Sequence, residues 1–237
     1  LLTAMSCTQP AGLLAIRSAR AIASRTVASR PAALISLLCP FILVAIRGAM
    51  RQGHGKSRGH MPRLWLMTDE RIARADLLRA VARLPRGAAV VVRHYGLDET
   101  ARRSLFEAVQ RLARRRGLVL LLAGPSAQAR SWGAQGHHGR SRAPRDRHWL
   151  HSAPVHNHRE LVTAIRAGAG AVLVSPLFAT RSHPGAPPLG AARFAALARC
   201  SPVPVIALGG VRRRHAGLVR RLGAHGFAAI DGLAARR

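Results

Sequence analysis

The residues Ala171-Val-Leu-Val-Ser-Pro-Leu-Phe-Ala-Thr-Arg-Ser-His-Pro-Gly185 and Pro204-Val-Ile-Ala-Leu-Gly-Gly-Val211 decide the fold class of this chain. Each stretch begins as a short apolar run and stops abruptly at small or polar residues. This pattern is typical of a buried parallel strand that delivers a loop at its carboxyl end. A helical pattern separates the two strands, so they form a βα repeat. The pair Gly209-Gly210 leaves backbone N–H groups uncovered, which is a common way to hold a phosphate at the mouth of an α/β barrel.

The same alternation extends back to residue 63. Apolar runs predict eight strands, at 64–68, 88–92, 118–123, 136–138, 148–152, 171–174, 203–208 and 227–230. Helical spacing predicts helices at 72–84, 98–116, 127–132, 158–167, 191–199 and 213–222. Asp98 is the expected N-cap of the second helix, and Gly117 is its expected end. Eight strands alternating with helices argue for a small single-domain (β/α)8 TIM barrel of the α/β class. An open doubly wound sheet is the alternative, but no Gly-rich loop follows the first strand.

The chain is strongly basic. Its 237 residues include 38 basic and 9 acidic ones, for a net charge of +29, and Lys56 is the one lysine. A basic surface can bind a polyanion. The arginines are spread through the chain, however, and aromatic residues make up only 4% of it, so compositional bias explains the charge better than dedicated nucleic-acid binding. Part of the excess charge would still attract a phosphorylated small molecule.

Residues 1–60 differ from the rest, because they contain no acidic residue and no period that matches the repeat beginning at residue 63. The apolar run at 32–46 is shorter than the roughly 20 residues of a membrane span. A mis-called upstream extension, with translation starting at Met50 or Met61, is the favoured interpretation, and a targeting segment is the alternative. The barrel domain is therefore predicted over 61–237.

The three cysteines are widely spaced and predict neither a disulfide framework nor a metal knuckle. We therefore expect a cytoplasmic protein with no membrane partner, and a homo-oligomer stays open. Zinc favours clustered histidines with an acidic or cysteine partner at a motif spacing, which the histidines of this chain lack, so no metal site is predicted. No nucleophile-elbow motif supports a Ser/His/Asp arrangement.

Five motifs, in this order, resemble the thiamine phosphate synthase/TenI family of phosphate-binding barrels. They are LWLMTD at 64–69, VVVRHY at 90–95, GAQGHH at 133–138, SPLFATRSHPG at 175–185 and PVIALGGV at 204–211. The similarity runs from residue 63 to residue 233, and the order and spacing of the motifs are more specific than any one of them. The resemblance implies a divergent enzyme of thiamine biosynthesis that binds a thiazole phosphate.

The synthase branch, by this resemblance, joins hydroxymethylpyrimidine diphosphate to thiazole phosphate, releases diphosphate and uses Mg²⁺. The family's metal carboxylates follow strands three and four, where this chain has Ala123-Gly124 and Ser141-Arg142-Ala143. Mg²⁺ needs hard carboxylate oxygens, and neither segment has an Asp. The lysines expected after strand two and after the threonine loop are replaced by Tyr95 and His183. These departures weaken the synthase interpretation.

The TenI branch does without the metal carboxylates and resembles a thiazole phosphate tautomerase, which shifts a proton to make the ring aromatic. Its candidate base follows strand five, where this chain has Pro154-Val-His156-Asn157. Histidine suits proton transfer near neutral pH, so His156 is the predicted general acid/base, with an exposed, inert histidine as the alternative. His183 and Arg93 are further catalytic candidates. Arg93 would bind the substrate's phosphate or carboxylate, or form half of an ion pair at the barrel rim.

The predicted phosphate- and substrate-binding residues lie on three loops. They are Gly209, Gly210, Thr180, Ser182 and Gly232. We expect a TenI-like thiazole tautomerase that needs no cofactor. A thiamine phosphate synthase, which would require Mg²⁺, is the alternative, and a non-catalytic barrel that binds a phosphate ligand is a further one.

Overall fold

Eight parallel strands close into a barrel in chain order, with the last strand paired to the first. The computed structural model describes residues 61–142, 144, 146, 148–181, 185 and 187–230. Its strands are β1 Leu64–Met67, β2 Ala89–Val92, β3 Val119–Ala123, β4 Gly136–His138, β5 Leu150–Val155, β6 Ala171–Val174, β7 Val205–Ala207 and β8 Gly226–Ala229. The predicted (β/α)8 barrel is confirmed, whereas the predicted extension at 1–60 lies outside the described residues.

Six helices accompany the strands in the described part of the chain. They are α1 Arg74–Ala82, α2 Glu99–Arg116, α3 Ser126–Ser131, α4 His158–Arg166, α5 Gly190–Cys200 and α6 Ala216–Arg221. Helix α2 begins as predicted, because the Asp98 side chain accepts a hydrogen bond from the Ala101 amide at 2.9 Å. It ends at Gly117, whose φ of +61° is a left-handed conformation that glycine adopts without strain. None of the described helices has the length and apolar character that crossing a bilayer requires.

Side chains along each strand alternate between the barrel interior and the layer beneath the helices. The interior is filled by Trp65, Met67, Ala89, Val91, Leu121, Ala123, Ala171, Leu173, Ile206 and Ala228. These side chains are almost fully shielded from solvent. The barrel centre is thus a packed core, and space for a ligand is left at the carboxyl rim of the strands.

Strand β5 lies later in the chain than predicted. It covers Leu150–Val155 rather than 148–152. The reason is its pairing with β6, which runs in register from Ser152 opposite Ala171 to Val155 opposite Val174. Partners that are distant in sequence therefore decide where this strand ends, and the prediction of its bounds was wrong.

The described residues between β4 and β5 contain no helix. The aromatic rings of His137, Trp149 and His151 pack against each other on the outer face of these strands instead. The rings of His137 and His151 stack with centroids 4.2 Å apart, and the Trp149 indole donates to Nδ1 of His137 at 2.8 Å. His137 Nε2 lies 3.2 Å from the Ser141 carbonyl, and His151 Nε2 lies 3.0 Å from the Gly139 carbonyl. Both histidines thereby hold residues 139 and 141, which directly follow β4.

Replacement of Phe106 by Ala tests the packing of α2 on the barrel. Phe106 is fully buried, and its ring lies 5.5 Å from that of Trp132. We expect Phe106→Ala to lower the free energy of unfolding by about 3–5 kcal/mol, because it removes buried apolar area and leaves a cavity. The exposed Leu97→Ala is the control, with an expected change within about 0.5 kcal/mol. Equal losses in urea unfolding of the two variants would contradict the assignment of Phe106 to the core.

Candidate active site

The predicted site segments meet at one rim, because the carboxyl ends of parallel strands in a barrel point the same way. Arg93 follows β2, His156 follows β5, Thr180 lies on the loop after β6, and Gly209-Gly210 follow β7. Ser182, His183 and Gly232, which are also predicted site residues, lie outside the described residues.

The glycine loop, residues 208–211, is packed directly against the loop after β6. A Cβ atom added to Gly209 would lie 2.6 Å from Cα of Pro176, and one added to Gly210 would lie 2.5 Å from the Ala179 carbonyl oxygen. Both glycines have positive φ, +89° and +64°. Only glycine adopts a positive φ without strain and also leaves room for the backbone of the neighbouring loop. The two loops therefore pack backbone against backbone, with no side chain of Gly209 or Gly210 between them.

Hydrogen bonds between these two loops use carbonyl groups of the glycine loop. Leu177 and Phe178 donate their amides to the carbonyls of Leu208 and Gly209, at 2.8 and 3.1 Å. Within the described residues, no hydrogen bond takes up the amides of Gly209 and Gly210. These N–H groups are therefore available to an anion.

A cavity of about 170 Å³ lies over the glycine loop, between the ends of β7 and β8. Polar and charged groups at its wall include Thr180, Arg181 and Arg212. Guanidinium groups and backbone amides are the donors that phosphate oxygens prefer. Because whole-ligand pockets usually span about 300–1,000 Å³, this cavity suits a part of a ligand such as a phosphoryl group.

Asp69 ties the end of β1 to the end of β2 through Arg93. The Asp69 carboxylate receives Arg71 Nε at 2.7 Å and Nη2 at 3.0 Å, as well as Arg93 Nη2 at 2.9 Å. Hydrogen bonds from Arg71 outweigh burial, and with both guanidinium charges they hold the pKa of Asp69 below its usual value. Of the two interpretations of Arg93, the ion pair is thus present, while a role in substrate binding stays a prediction.

Thr68 fixes the backbone of the next strand beneath this ion pair. Its hydroxyl accepts from the Arg93 amide at 2.9 Å and lies 2.9 Å from Nδ1 of His94. Burial lowers the pKa of His94 and favours the neutral ring, whose hydrogen bond with the Thr68 hydroxyl runs in the direction set by its tautomer. The Thr68 hydroxyl therefore connects the backbone of Arg93 with the His94 ring.

His156 forms a close pair with Glu160. Its Nδ1 atom lies 2.8 Å from Glu160 Oε2, and its backbone amide donates to the same oxygen at 3.0 Å. The amide of Glu160 is capped by the Asn157 side chain at 2.9 Å. The imidazole is 42% exposed at the end of β5, where a substrate at the rim can reach it. A histidine with a carboxylate partner at Nδ1 is an arrangement that serves proton transfer.

His138 is a buried histidine on the interior face of β4, opposite Ala123 and Ser152 of the neighbouring strands. Its Nδ1 lies 3.0 Å from the Ser152 hydroxyl. Burial, with the nearby charge of Arg93, lowers the pKa of His138 to about 3. The ring is therefore neutral at physiological pH.

Two of these features were missed by sequence reasoning. The sequence offered an ion pair for Arg93 but did not identify Asp69 as its partner, because the two residues follow different strands. Glu160 had a sequence signal, because an Asn followed three residues later by Glu at the start of a helix is a capping pattern. The same spacing puts the Glu160 carboxylate within reach of His156.

Comparisons with known proteins agree with this architecture. The model of a family described as thiamine monophosphate synthase matches residues 64–233. The thiamine-phosphate synthase of Chloroflexus aurantiacus is 30% identical over 184 residues, which cover 73% of this chain and 85% of that protein. The thiamine-phosphate synthase of Salinispora arenicola is 34% identical over 185 residues, 72% of this chain and 88% of that protein. The solved thiamine phosphate pyrophosphorylase of Pyrococcus furiosus superposes with a TM-score of 0.61 at 20% identity, covering 73% of this chain and 88% of that one.

Acidification tests the buried state of His138. A histidine has a pKa of about 6.5 in the unfolded chain and about 3 in the barrel, so the unfolded state binds the extra proton between these values. Stability should therefore be full above pH 6.5 and fall as the pH drops towards 3, with this ring contributing up to about 1.4 kcal/mol per pH unit. His138→Asn, which keeps a partner for Ser152, should flatten that slope in urea unfolding from pH 7 to 4. Parallel slopes for the two proteins would contradict the assignment.

Proposed function

Because the chain belongs to the thiamine monophosphate synthase family, we propose that it is a thiamine phosphate synthase, which joins a thiazole phosphate to hydroxymethylpyrimidine diphosphate and releases diphosphate. The observation that carries the proposal is the identity of 30% and 34% to two proteins that bear this name. In the reaction, the thiazole nitrogen forms a bond to the pyrimidine's exocyclic carbon as the bond from that carbon to the diphosphate oxygen breaks.

The anion-binding features of the rim support a phosphorylated substrate. The cavity over Gly209 and Gly210 offers two free amides and borders Arg181 and Arg212. The thiazole phosphate would place its phosphoryl group there, with its ring towards the barrel axis. The excess of basic residues would add a long-range attraction for both substrates.

The described residues do not fit a Mg²⁺ ion of the kind that the family resemblance implies. Gly124, where a metal carboxylate is expected, has no side chain, and the segment after β4 supplies Ser141 and Arg142. The described residues include no cluster of three or more His, Cys, Asp or Glu side chains that would hold a metal. Asp69 is saturated by Arg71 and Arg93. No step of the proposed reaction is therefore assigned to a metal.

A tautomerase is the second candidate function, and the pair of His156 with Glu160 favours it. Isomerisation of a thiazole phosphate to its aromatic form removes a proton from one ring atom and returns one to another, so it needs a base that becomes an acid. Histidine does both near neutral pH. This reaction releases no diphosphate, so it needs no positive charge other than that which binds the substrate's phosphate. A barrel that binds the phosphate without turnover remains the non-catalytic alternative.

One assay separates these functions. The full chain is incubated with the non-aromatic thiazole phosphate carboxylate, with and without hydroxymethylpyrimidine diphosphate, and with Mg²⁺ or EDTA. Release of thiamine phosphate and diphosphate is the result expected for the proposed synthase, and the comparison of Mg²⁺ with EDTA shows whether this reaction requires the metal.

Isomerisation of the thiazole phosphate in the absence of the pyrimidine would show a tautomerase instead of a synthase. In that case we expect His156→Asn to lower the rate of isomerisation about 100-fold or more. Binding of the thiazole phosphate without either product would overturn both enzyme proposals and leave the non-catalytic barrel.

Gly209→Ala tests the phosphate subsite. The added methyl group would lie 2.6 Å from Cα of Pro176 and would force the two loops apart, so we expect KM for thiazole phosphate to rise about tenfold or more, equivalent to about 1.4 kcal/mol. Gly87→Ala is the matched control: Gly87 also has positive φ, +78°, but a Cβ there meets nothing within 4 Å. It carries the backbone strain without the collision, and an equal rise in KM for both variants would contradict the subsite.

A further inference from the structure

Glu160 is placed to decide which ring nitrogen of His156 carries a proton. Its Oε2 atom faces Nδ1 of His156 at 2.8 Å and also accepts the His156 amide at 3.0 Å. Its Oε1 atom lies 3.4 Å from Nη2 of Arg140, which follows β4. The carboxylate therefore joins the ends of two neighbouring strands to the first turn of α4.

Glu160 is ionised at neutral pH. Partial burial opposes its ionisation, but hydrogen bonds from His156 and the charges of His156 and Arg140 outweigh burial and hold the pKa of this carboxyl below its usual value. The first turn of a helix also favours a negative charge. An ionised carboxylate can only accept hydrogen bonds, so the proton between the two side chains belongs to Nδ1 of the imidazole.

A neutral imidazole carries one proton, and its other nitrogen has the free electron pair. With the proton held at Nδ1, the free pair is on Nε2, the only ring nitrogen that is not engaged by Glu160. Residues 150, 152, 154 and 156 alternate towards the barrel interior, since Ser152 and Pro154 pair with the interior positions Ala171 and Leu173. Position 156 thus continues the interior row at the rim.

We propose that Glu160 is a positioning residue that holds His156 in the Nδ1–H tautomer, so that Nε2 is the atom that takes the proton from a substrate at the rim. The inference rests on the tautomerase, the second candidate function, and adds to it the residue that selects the basic nitrogen. In the reaction Nε2 takes a proton from the thiazole ring, the imidazolium is stabilised by the Glu160 carboxylate, and the same nitrogen returns a proton to the other ring position.

Helix capping is the competing explanation for Glu160, because a Glu at this position commonly accepts amides at the start of a helix. Asn157 provides the matched control, since its side chain caps the Glu160 amide at 2.9 Å, whereas the His156 ring is bonded to the Glu160 carboxylate. Asn157→Ala weakens the same helix start by about 1 kcal/mol and leaves the Glu160 carboxylate in place.

The test is the tautomer of His156, read from the 15N chemical shifts of its imidazole in the full-length protein and assigned by their loss in His156→Asn. We expect Nδ1–H in the wild type and in Asn157→Ala, and a mixture of the two tautomers in Glu160→Ala. Glu160→Gln keeps an acceptor oxygen and should retain much of the Nδ1–H form. An unchanged tautomer in Glu160→Ala, or an equal change in Asn157→Ala, would overturn the inference.

Kinetics give the second readout on the same variants. For isomerisation, Glu160→Ala should lower kcat about 10- to 100-fold while KM for thiazole phosphate stays within about twofold, because the phosphate subsite is on other strands. Asn157→Ala should keep kcat within about twofold. An equal loss of kcat in both variants would overturn the positioning role. If no isomerisation occurs in the wild type, the tautomerase fails, and the chemical shifts still decide whether Glu160 sets the tautomer.

Discussion

Closure of the sheet, in which β8 pairs with β1, is the constraint on which the other features depend. Leu64, Trp65 and Leu66 are in register with Phe227, Ala228 and Ala229, and a Cβ on Gly226 would lie 2.1 Å from the Arg63 carbonyl oxygen. Glycine at this position lets the strands approach. Once the ring is closed, its interior is filled by side chains and the strands share one carboxyl rim. Every candidate group is placed by that geometry.

The acidic side chains at this rim are paired, whereas part of the basic surface is not used by them. Asp69 forms ion pairs with both Arg71 and Arg93, and Glu160 faces His156 and Arg140. Both carboxylates are thus paired with side chains of the protein itself. Within the described residues the amides of Gly209 and Gly210 are available to an anion, and arginines lie beside them. This division leaves the amides of Gly209 and Gly210, with the nearby arginines, as the anion-binding groups of this part of the rim.

The fold was predictable to a large extent, because buried parallel strands are continuous apolar runs that need no partner to be recognised. The strand at 171–174 and the helix that begins after Asp98 were predicted within a residue. The bounds of β5 were not, because its ladder with β4 begins at Leu150 and its ladder with β6 extends to Val155, and both partners are distant in sequence. The placement of the glycine loop and His156 after strands followed from the order of the apolar runs, and their roles stay predictions. The contact of Asp69 with Arg93 joins the ends of two strands and leaves no local pattern.

The sequence by itself determined the order of the strands and helices and the position of the Gly209-Gly210 loop after a strand, since each depends on local residue type and spacing. Only the tertiary structure decided which groups contact each other. It paired Arg93 with Asp69, aligned the Glu160 carboxylate with Nδ1 of His156 and buried His138 beside Ser152. Such contacts depend on the register of neighbouring strands and on the direction of each side chain, which local propensities do not encode.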